Sequence, residues 1–167
     1  LAESLGLVEP LFRRFRPPLD IAPVAQRRVV MLLPGFATHP MRMRYMAQQL
    51  ERAGHVVKRW GLGFNFGPTV DMLDLLEDRL AQIHADYGQD VVLVGWSLGG
   101  LFARELAKRQ PGMVAGVITM GTPFAGSHKS TNAWRVYEMT SGHDISSVVG
   151  QFDLPSAPPV PTTSIYS

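Results

Sequence analysis

The stretch that decides the fold is DVVLVGWSLGGLFARELAKRQ, residues 90–110. Its first part is an apolar, valine-rich run, which predicts a strand buried on both faces of a sheet. Its last part has a helical composition and stops before Pro111, which predicts a helix. Ser97 lies at the junction, with Gly95 and Gly99 two positions away on either side. A Gly-x-Ser-x-Gly pattern between a strand and a helix is typical of a nucleophile elbow, a strained turn that presents a serine hydroxyl above the sheet.

Predicted strands and helices alternate along the chain around this stretch. Apolar runs between turn residues predict strands, and apolar positions three or four residues apart predict helices. The predicted strands cover residues 29–33, 55–60, 90–95, 113–121 and 162–167. The predicted helices carry their apolar faces at residues 43–53, 70–87 and 97–110. Such an order is typical of the α/β fold class, with a mostly parallel sheet and helices on both of its faces. Ligands of such sheets bind beyond the carboxyl ends of the strands, where Ser97 would lie.

The chain of 167 residues is long enough for one domain with its own core. We divide it into an N-terminal arm, residues 1–27, and a main domain, residues 28–167. Within that domain residues 122–160 lack a clear period and form an excursion from the alternating pattern. The arm is expected to pack on the domain, although apolar side chains beside three arginines make contact with a membrane surface an alternative. The chain does not begin with Met, so we expect a processed or partial sequence, and an upstream signal segment stays open.

Composition restricts the classes of function. Hydrophobic residues make up 46% of the chain and charged residues 18%, as in globular rather than disordered proteins. The formal net charge is +2 and no basic cluster is interleaved with aromatic residues, so we expect no nucleic-acid partner. The lack of cysteine excludes disulfides, thiolate metal sites and a cysteine nucleophile within this chain, and it favours a cytoplasmic location. No His, Asp or Glu spacing indicates a metal site, and we expect no cofactor. No apolar run approaches the roughly 18 residues of a membrane span.

A nucleophilic serine of this kind needs hydrogen-bond donors for the oxyanion that forms on its substrate. Backbone N–H groups at the start of a helix have no acceptor within that helix, so the amide of Leu98 is one expected donor. The loop after the first predicted strand, LLPGFATHP at residues 32–40, is the expected source of the second. Its glycine permits an unusual backbone angle there. The amide of Phe36, with that of Ala37 as the alternative, would then turn toward Ser97.

These motifs resemble those of α/β-hydrolases in the lipase and esterase branch. The likeness rests on LLPGF, VVLVGWSLGG, GVITMGTPFAGS and VPTTSIYS, and it covers about residues 28–125 and then 160–167. The segments WGLGFNFGPT and PTTSIYS are also similar to those of a bacterial group of that fold, distantly similar to lipases and to the inositol deacylases of GPI anchors. Pro34 stands where many members of the branch have a histidine, which leaves the backbone donor in place. The resemblance implies that the excursion is a cap or lid.

The resemblance also implies a triad that runs serine, acid, histidine along the chain. It would place the acid just after the last predicted strand and the histidine further on, both beyond Ser167. We therefore expect a C-terminally truncated hydrolase domain that is weakly active or inactive on its own. Within the chain the alternatives are Glu138 with His143, or His128 as the base. Of the remaining histidines, His39 is expected to line the pocket. His55 and His84 are expected to be surface or packing residues.

The activity implied by the resemblance is the cleavage of carboxylic esters, small-molecule or lipid, through an acyl-enzyme on Ser97. Aromatic side chains near the same edge would form the apolar walls of the substrate pocket. They are Trp60, Phe64 and Phe66 on one side, and Phe124, Trp134, Tyr137 and Phe152 on the other. Two alternatives stay open: an acyltransferase that uses the same intermediate, and a non-catalytic binding protein on a hydrolase scaffold. The oligomeric state is not predicted.

Overall fold

The predicted strands form one parallel five-stranded sheet. The structure, a computed structural model, describes residues 19–122, 152–153 and 155–166. The strands are β1 (Val29–Leu33), β2 (Val56–Arg59), β3 (Val91–Trp96), β4 (Val114–Met120) and β5 (Thr162–Ile165). They lie in the order β2-β1-β3-β4-β5, and every neighbouring pair is parallel. The predicted α/β class with a parallel sheet is confirmed.

Among the described residues, three α-helices cover both faces of this sheet. They are α1 (Arg44–Arg52), α2 (Met72–Tyr87) and α3 (Leu98–Arg109), and short 3-10 helices span Pro40–Met43 and Pro111–Met113. The side chains of β1 alternate between the two faces, as the pleat of a strand requires. Met31 and Leu33 belong to a core shared with α2 and α3, whereas Val30 and Leu32 pack with Met43 and the apolar side of α1. All five residues of β1 are buried, which accounts for the continuous apolar run in its sequence.

Element ends differ slightly from the predicted ones for local reasons. Helix α2 ends at Gly88, whose left-handed φ of 61° lets its amide donate to the carbonyl oxygen of His84 at 2.8 Å. Strand β2 is shorter than predicted because the amide of His55 donates to the carbonyl oxygen of Leu50, which ties that residue to α1. At the other end of β2, Trp60 leaves the sheet and enters the core. The helix expected from residue 43 begins as a 3-10 turn and becomes α-helical only at Arg44.

The arm and the excursion are only partly described. Residues 19–27 contain neither helix nor strand, and they are attached by the amide of Val24, which donates to the carbonyl oxygen of Ala53 at 2.9 Å. Residues 1–18, 123–151, 154 and 167 lie outside the described residues. The proposed domain division, the lid and the contact of the arm with a membrane surface therefore stay predictions. Among the described residues, no helix is long and apolar enough to cross a membrane.

The register of the central strands brings three loops to one edge of the sheet. Leu33 at the end of β1 pairs with Gly95 in β3, and Trp96 at the end of β3 pairs with Met120 in β4. Because all strands are parallel, their carboxyl ends meet at this edge. The loops that follow β1, β3 and β4 therefore converge around Ser97.

Candidate active site

Ser97 occupies a strained turn between β3 and α3. Its backbone angles are φ 51° and ψ −120°, a region that non-glycine residues rarely adopt. Its amide donates to the carbonyl oxygen of Met120 at 2.8 Å. Its own carbonyl oxygen accepts from the amide of Gly100 at 2.9 Å and from Oγ1 of Thr122 at 3.0 Å. These hydrogen bonds hold the unusual backbone in place and leave Ser97 half-buried at the carboxyl edge of the sheet.

The glycines around Ser97 are required because backbone segments approach too closely for a side chain. A Cβ atom at Gly95 would overlap the backbone of the first turn of α3. A Cβ atom at Gly99 would overlap the carbonyl groups of Leu33 and Pro34 at the end of β1. The Gly-x-Ser-x-Gly spacing therefore has a steric cause in this structure: the start of α3 packs directly on the two central strands.

The loop after β1 lies against the elbow. A Cβ atom at Gly35 would stand 3.3 Å from the Cβ atom of Ser97 and 3.3 Å from the carbonyl oxygen of Trp96. This proximity follows from the pairing of the last residue of β1 with Gly95. The structure thus brings the expected oxyanion loop and the expected nucleophile together.

One of the two amides that the sequence left open holds the loop itself. The amide of Ala37 donates to the carbonyl oxygen of Asn65 at 2.8 Å, so it serves to hold the loop. The half-buried Phe36 stays the proposed donor on this side of the site. On the other side, Leu98 is the first residue of α3, where a backbone N–H has no acceptor within the helix. The two proposed donors come from the two loops that meet at Ser97.

The described histidines have partners other than Ser97. The imidazole of His39 accepts from the amide of Met41, that of His55 accepts from the amide of Arg28, and that of His84 lies 3.3 Å from the carboxylate of Asp90. In the part of the chain that the structure describes, no hydrogen bond joins the Ser97 hydroxyl to a histidine or a carboxylate. The alternative triad residues His128, Glu138 and His143 lie outside that part.

Trp60 lies in the core, in contrast to the expected pocket wall. Its side chain is 0% exposed, its ring stacks on Phe102 with centroids 6.3 Å apart, and its Nε1 donates to the carbonyl oxygen of Gly63 at 2.9 Å. In this structure the side chain of Trp60 therefore has a packing role. Phe152 is also buried, and its ring packs against that of Phe102 with centroids 5.8 Å apart. The other expected pocket residues of the excursion, Phe124, Trp134 and Tyr137, lie outside the described residues.

In the described part of the chain, three ionisable groups with shifted pKa values lie around α2 and α3. The hydroxyl of Thr69 donates to Asp71 just before α2 and lowers the pKa of that carboxyl group. A hydrogen bond from the Ser156 side chain lowers the pKa of Asp153 in the same way. Burial lowers the pKa of Arg104, whose guanidinium donates to the carbonyl oxygen of Ser156 at 2.9 Å and so attaches α3 to the segment before β5. No group of three or more potential ligands for a metal ion is found among the described residues.

The family is decided by a sequence profile. The profile Hydrolase_4, described as serine aminopeptidase, S33, matches residues 24–148, which is more than half of the chain. The chain belongs to the Hydrolase_4 family. The resemblance to α/β-hydrolases that the motifs indicated is therefore confirmed.

This Hydrolase_4 chain is similar to esterases and lipases. It is 28% identical over 120 residues to a pimeloyl-(acyl-carrier protein) methyl ester esterase of Nitrosospira multiformis, which covers 66% of this chain and 44% of that protein. A solved lipase of Bacillus licheniformis in its propeptide form superposes with a TM-score of 0.59 at 19% identity, over 90% of this chain and 37% of that one. A monoacylglycerol lipase of Paleococcus ferrophilus gives a TM-score of 0.51 at 22% identity, over 74% and 49%. The superpositions establish a shared fold, and the chain spans less than half the length of each of these proteins.

Two residues around the Hydrolase_4 elbow had no role assigned from the sequence. Thr122, after β4, binds the carbonyl oxygen of Ser97. Asn65, in the glycine-rich loop after β2, is 0% exposed and contacts the loop after β1. A polar residue between two phenylalanines in a glycine-rich loop is the signal that could have singled out Asn65. The pattern alone does not say which of the three side chains points inward.

Proposed function

We propose that this chain supplies the nucleophile, Ser97, and the oxyanion hole of a serine hydrolase that cleaves carboxylic esters. The observation that carries the proposal is the strained backbone of Ser97, with the loop after β1 approaching its Cβ atom. A backbone of this kind costs about 1–3 kcal/mol, and glycine would avoid most of that cost. The presence of a serine at this position supports a chemical role for its hydroxyl group.

In the proposed reaction the Oγ atom of Ser97 attacks the carbonyl carbon of the ester, and its proton passes to a base. The electron pair of the C=O bond moves to the oxygen, where the amides of Phe36 and Leu98 would stabilise the negative charge. The tetrahedral intermediate then expels the alcohol, which takes the proton from the base, and an acyl-enzyme remains. Water attacks the acyl carbon by the same route and releases the acid and the free serine.

We place the base and the acid of the proposed triad outside the described residues. The described histidines already bind the partners given above, and the order of the triad in α/β-hydrolases puts both groups after the serine. We therefore propose an acid after β5 and a histidine further along the full-length protein. Pairs within the undescribed excursion, Glu138 with His143 or His128 as the base, are the alternatives.

The proposed substrates are small-molecule or lipid esters. A methyl ester esterase and lipases are among the proteins to which this chain is similar, which supports an ester substrate. Phe64 and Phe66 stack at 4.6 Å and are 43% and 72% exposed, next to the proposed oxyanion loop. These rings offer an apolar surface to the acyl or alcohol part of such an ester.

The test is labelling of the full-length protein with a fluorophosphonate probe, with Ser97→Ala as the matched control. We expect labelling only of the wild type, and hydrolysis of p-nitrophenyl butyrate that Ser97→Ala lowers by at least about 1,000-fold. A wild type that is not labelled would overturn the proposal and favour a non-catalytic binding protein. Preferential transfer of the butyryl group to an added alcohol would indicate an acyltransferase. Faster cleavage of an amino-acid p-nitroanilide than of the ester would contradict the proposed substrate class.

A further inference from the structure

The glycine-rich loop after β2 points a polar side chain inward and two aromatic side chains outward. Asn65 is 0% exposed, whereas Phe64 and Phe66 on either side of it are exposed. Hydrophobic burial alone favours the opposite arrangement, since a buried amide loses its hydration and an exposed phenylalanine ring stays in water. The contacts of Asn65 therefore have to offset the cost of this inversion.

Those contacts all lead toward the loop after β1 or close the turn around Asn65 itself. Its Nδ2 donates to the carbonyl oxygen of Pro34 at 2.7 Å, and its Oδ1 accepts from the amide of Gly67 at 3.0 Å. Its backbone oxygen accepts from the amide of Ala37 at 2.8 Å, and its backbone amide donates to the carbonyl oxygen of Thr38 at 3.0 Å. Both the side chain and the backbone of this one residue thus bind the neighbouring loop.

The points of attachment lie on both sides of Phe36, the proposed oxyanion donor. Pro34 precedes it and is held by the Asn65 side chain, while Ala37 follows it and is held by the Asn65 backbone. Ala37 adopts a left-handed φ of 53°, which is rare for alanine and needs support from its surroundings. Thr38 closes the loop further, because its hydroxyl donates to the carbonyl oxygen of Gly35 at 2.6 Å.

We propose that Asn65 is a positioning residue that holds residues 34–38 against Ser97 and thereby sets the direction of the Phe36 amide. The inference rests on the proposed function, because the loop forms an oxyanion hole only if Ser97 is a nucleophile. Asn65 itself would touch neither the substrate nor the reacting atoms. Its effect on the rate would pass through the geometry of the loop, and misplacement of a catalytic group by about 1 Å can cost about 100-fold in rate.

The test compares three variants of the full-length protein. Asn65→Asp keeps the shape of the side chain but replaces the Nδ2 donor with an oxygen that repels the carbonyl oxygen of Pro34. Asn65→Ser is the second variant, because its short side chain cannot span to Pro34 and introduces no buried charge. Thr69→Val is the control, since it removes a side-chain hydrogen bond near the other end of the same loop, the one from the Thr69 hydroxyl to Asp71.

Two measurements separate positioning from general structural damage. The first is kcat and KM for p-nitrophenyl butyrate, where both Asn65 variants should lose about 10- to 100-fold in kcat with little change in KM. The second is hydrogen–deuterium exchange of the peptide that contains residues 34–38, which should become faster in both Asn65 variants. Thr69→Val should leave both quantities close to those of the wild type.

Some outcomes would overturn the inference. One is exchange of residues 34–38 that stays at the wild-type rate in the Asn65 variants, whether or not kcat falls. Another is an equal loss of kcat in Thr69→Val, which would trace the effect to general loosening of the loop. If Asn65→Asp does not fold, Asn65→Ser gives the same comparison. If the wild type shows no Ser97-dependent hydrolysis, the proposed function fails, and the exchange measurement decides separately whether Asn65 holds the loop.

Discussion

The hydroxyl group of Thr122, two residues past the end of β4, donates a hydrogen bond of 3.0 Å to the carbonyl oxygen of Ser97. The same side chain packs so closely on α3 that a Cβ atom at Gly100 would overlap it. The carbonyl oxygen of Met120, the last residue of β4, accepts a hydrogen bond from the amide of Ser97. The end of β4 therefore supports the strained serine on both sides of its backbone.

Replacing Thr122 with valine keeps the shape of the side chain and removes its donor. We expect Thr122→Val to lower the free energy of unfolding by about 1–2 kcal/mol, because a partly buried carbonyl oxygen loses a partner. We also expect slower labelling of Ser97 by a fluorophosphonate. Thr162→Val is the matched control, since the exposed Thr162 hydroxyl donates to the carbonyl oxygen of Val160 at 3.0 Å. Urea unfolding and labelling rates check the prediction, and equal effects of the two substitutions would contradict it.

A methyl group at Gly99 should disrupt the elbow. Gly99→Ala would force α3 away from the carbonyl groups at the end of β1, so we expect a loss of about 1–3 kcal/mol in the free energy of unfolding and little labelling of Ser97. Gly112→Ala is the control, because a Cβ atom there would meet nothing within 4 Å. Urea unfolding followed by circular dichroism measures both variants. A Gly99→Ala protein as stable as Gly112→Ala would show that the close contact does not constrain this turn.

The positions of Trp60 and Phe66 predict that truncation lowers stability strongly at Trp60 and hardly at all at Phe66. Trp60→Ala would leave a cavity in the core, so we expect the free energy of unfolding to fall by about 3–5 kcal/mol. Phe66→Ala removes a side chain that is 72% exposed, and it should change stability by less than about 0.5 kcal/mol. Thermal or urea unfolding distinguishes the two. A large rise in KM for Trp60→Phe, which preserves the packing, would instead favour the pocket wall expected from the sequence.

The hydrogen bond from Thr69 to Asp71 predicts a dependence of stability on pH. Because this bond lowers the pKa of Asp71 in the folded protein, its contribution is present above about pH 4, the ordinary pKa of an aspartate, and is lost as pH falls through the lower folded value. We expect Thr69→Ala to raise the pKa of Asp71 toward its ordinary value, as measured by NMR titration of the carboxyl group. The stability difference between wild type and variant should shrink in acid. In an Asp71→Asn background that dependence on pH should vanish, and its persistence would assign it to another group.

The strained turn between β3 and α3 could be predicted from the sequence because its signal is local. A buried strand, a serine between glycines and a helix follow one another within residues 90–110, and each part depends on short-range sterics. The parallel sheet could be predicted because alternating strands and helices admit few topologies. Small errors at the strand ends came from single contacts, such as the bond between the amide of His55 and the carbonyl oxygen of Leu50.

The roles of Trp60 and Asn65 could not be predicted because they depend on contacts between distant segments. Composition around the glycine-rich loop indicates aromatic and polar side chains near the site, but not which ones point inward. The stacking of Trp60 on Phe102 and the bond from Asn65 to Pro34 join residues 42 and 31 positions apart in the chain. Only the folded arrangement of β1, the loop after β2 and α3 decides that Trp60 lies in the core and that the Asn65 side chain binds the loop after β1.

The positive φ of Ser97 places the stability of the turn in conflict with the presence of a hydroxyl group at this position. Glycine would adopt the same turn with little steric cost, whereas serine gives up about 1 kcal/mol or more of stability to keep its hydroxyl there. Under the proposed function, selection for stability alone favours glycine at position 97, whereas selection for turnover favours serine. The residue at this position in related sequences would then indicate which of the two prevailed.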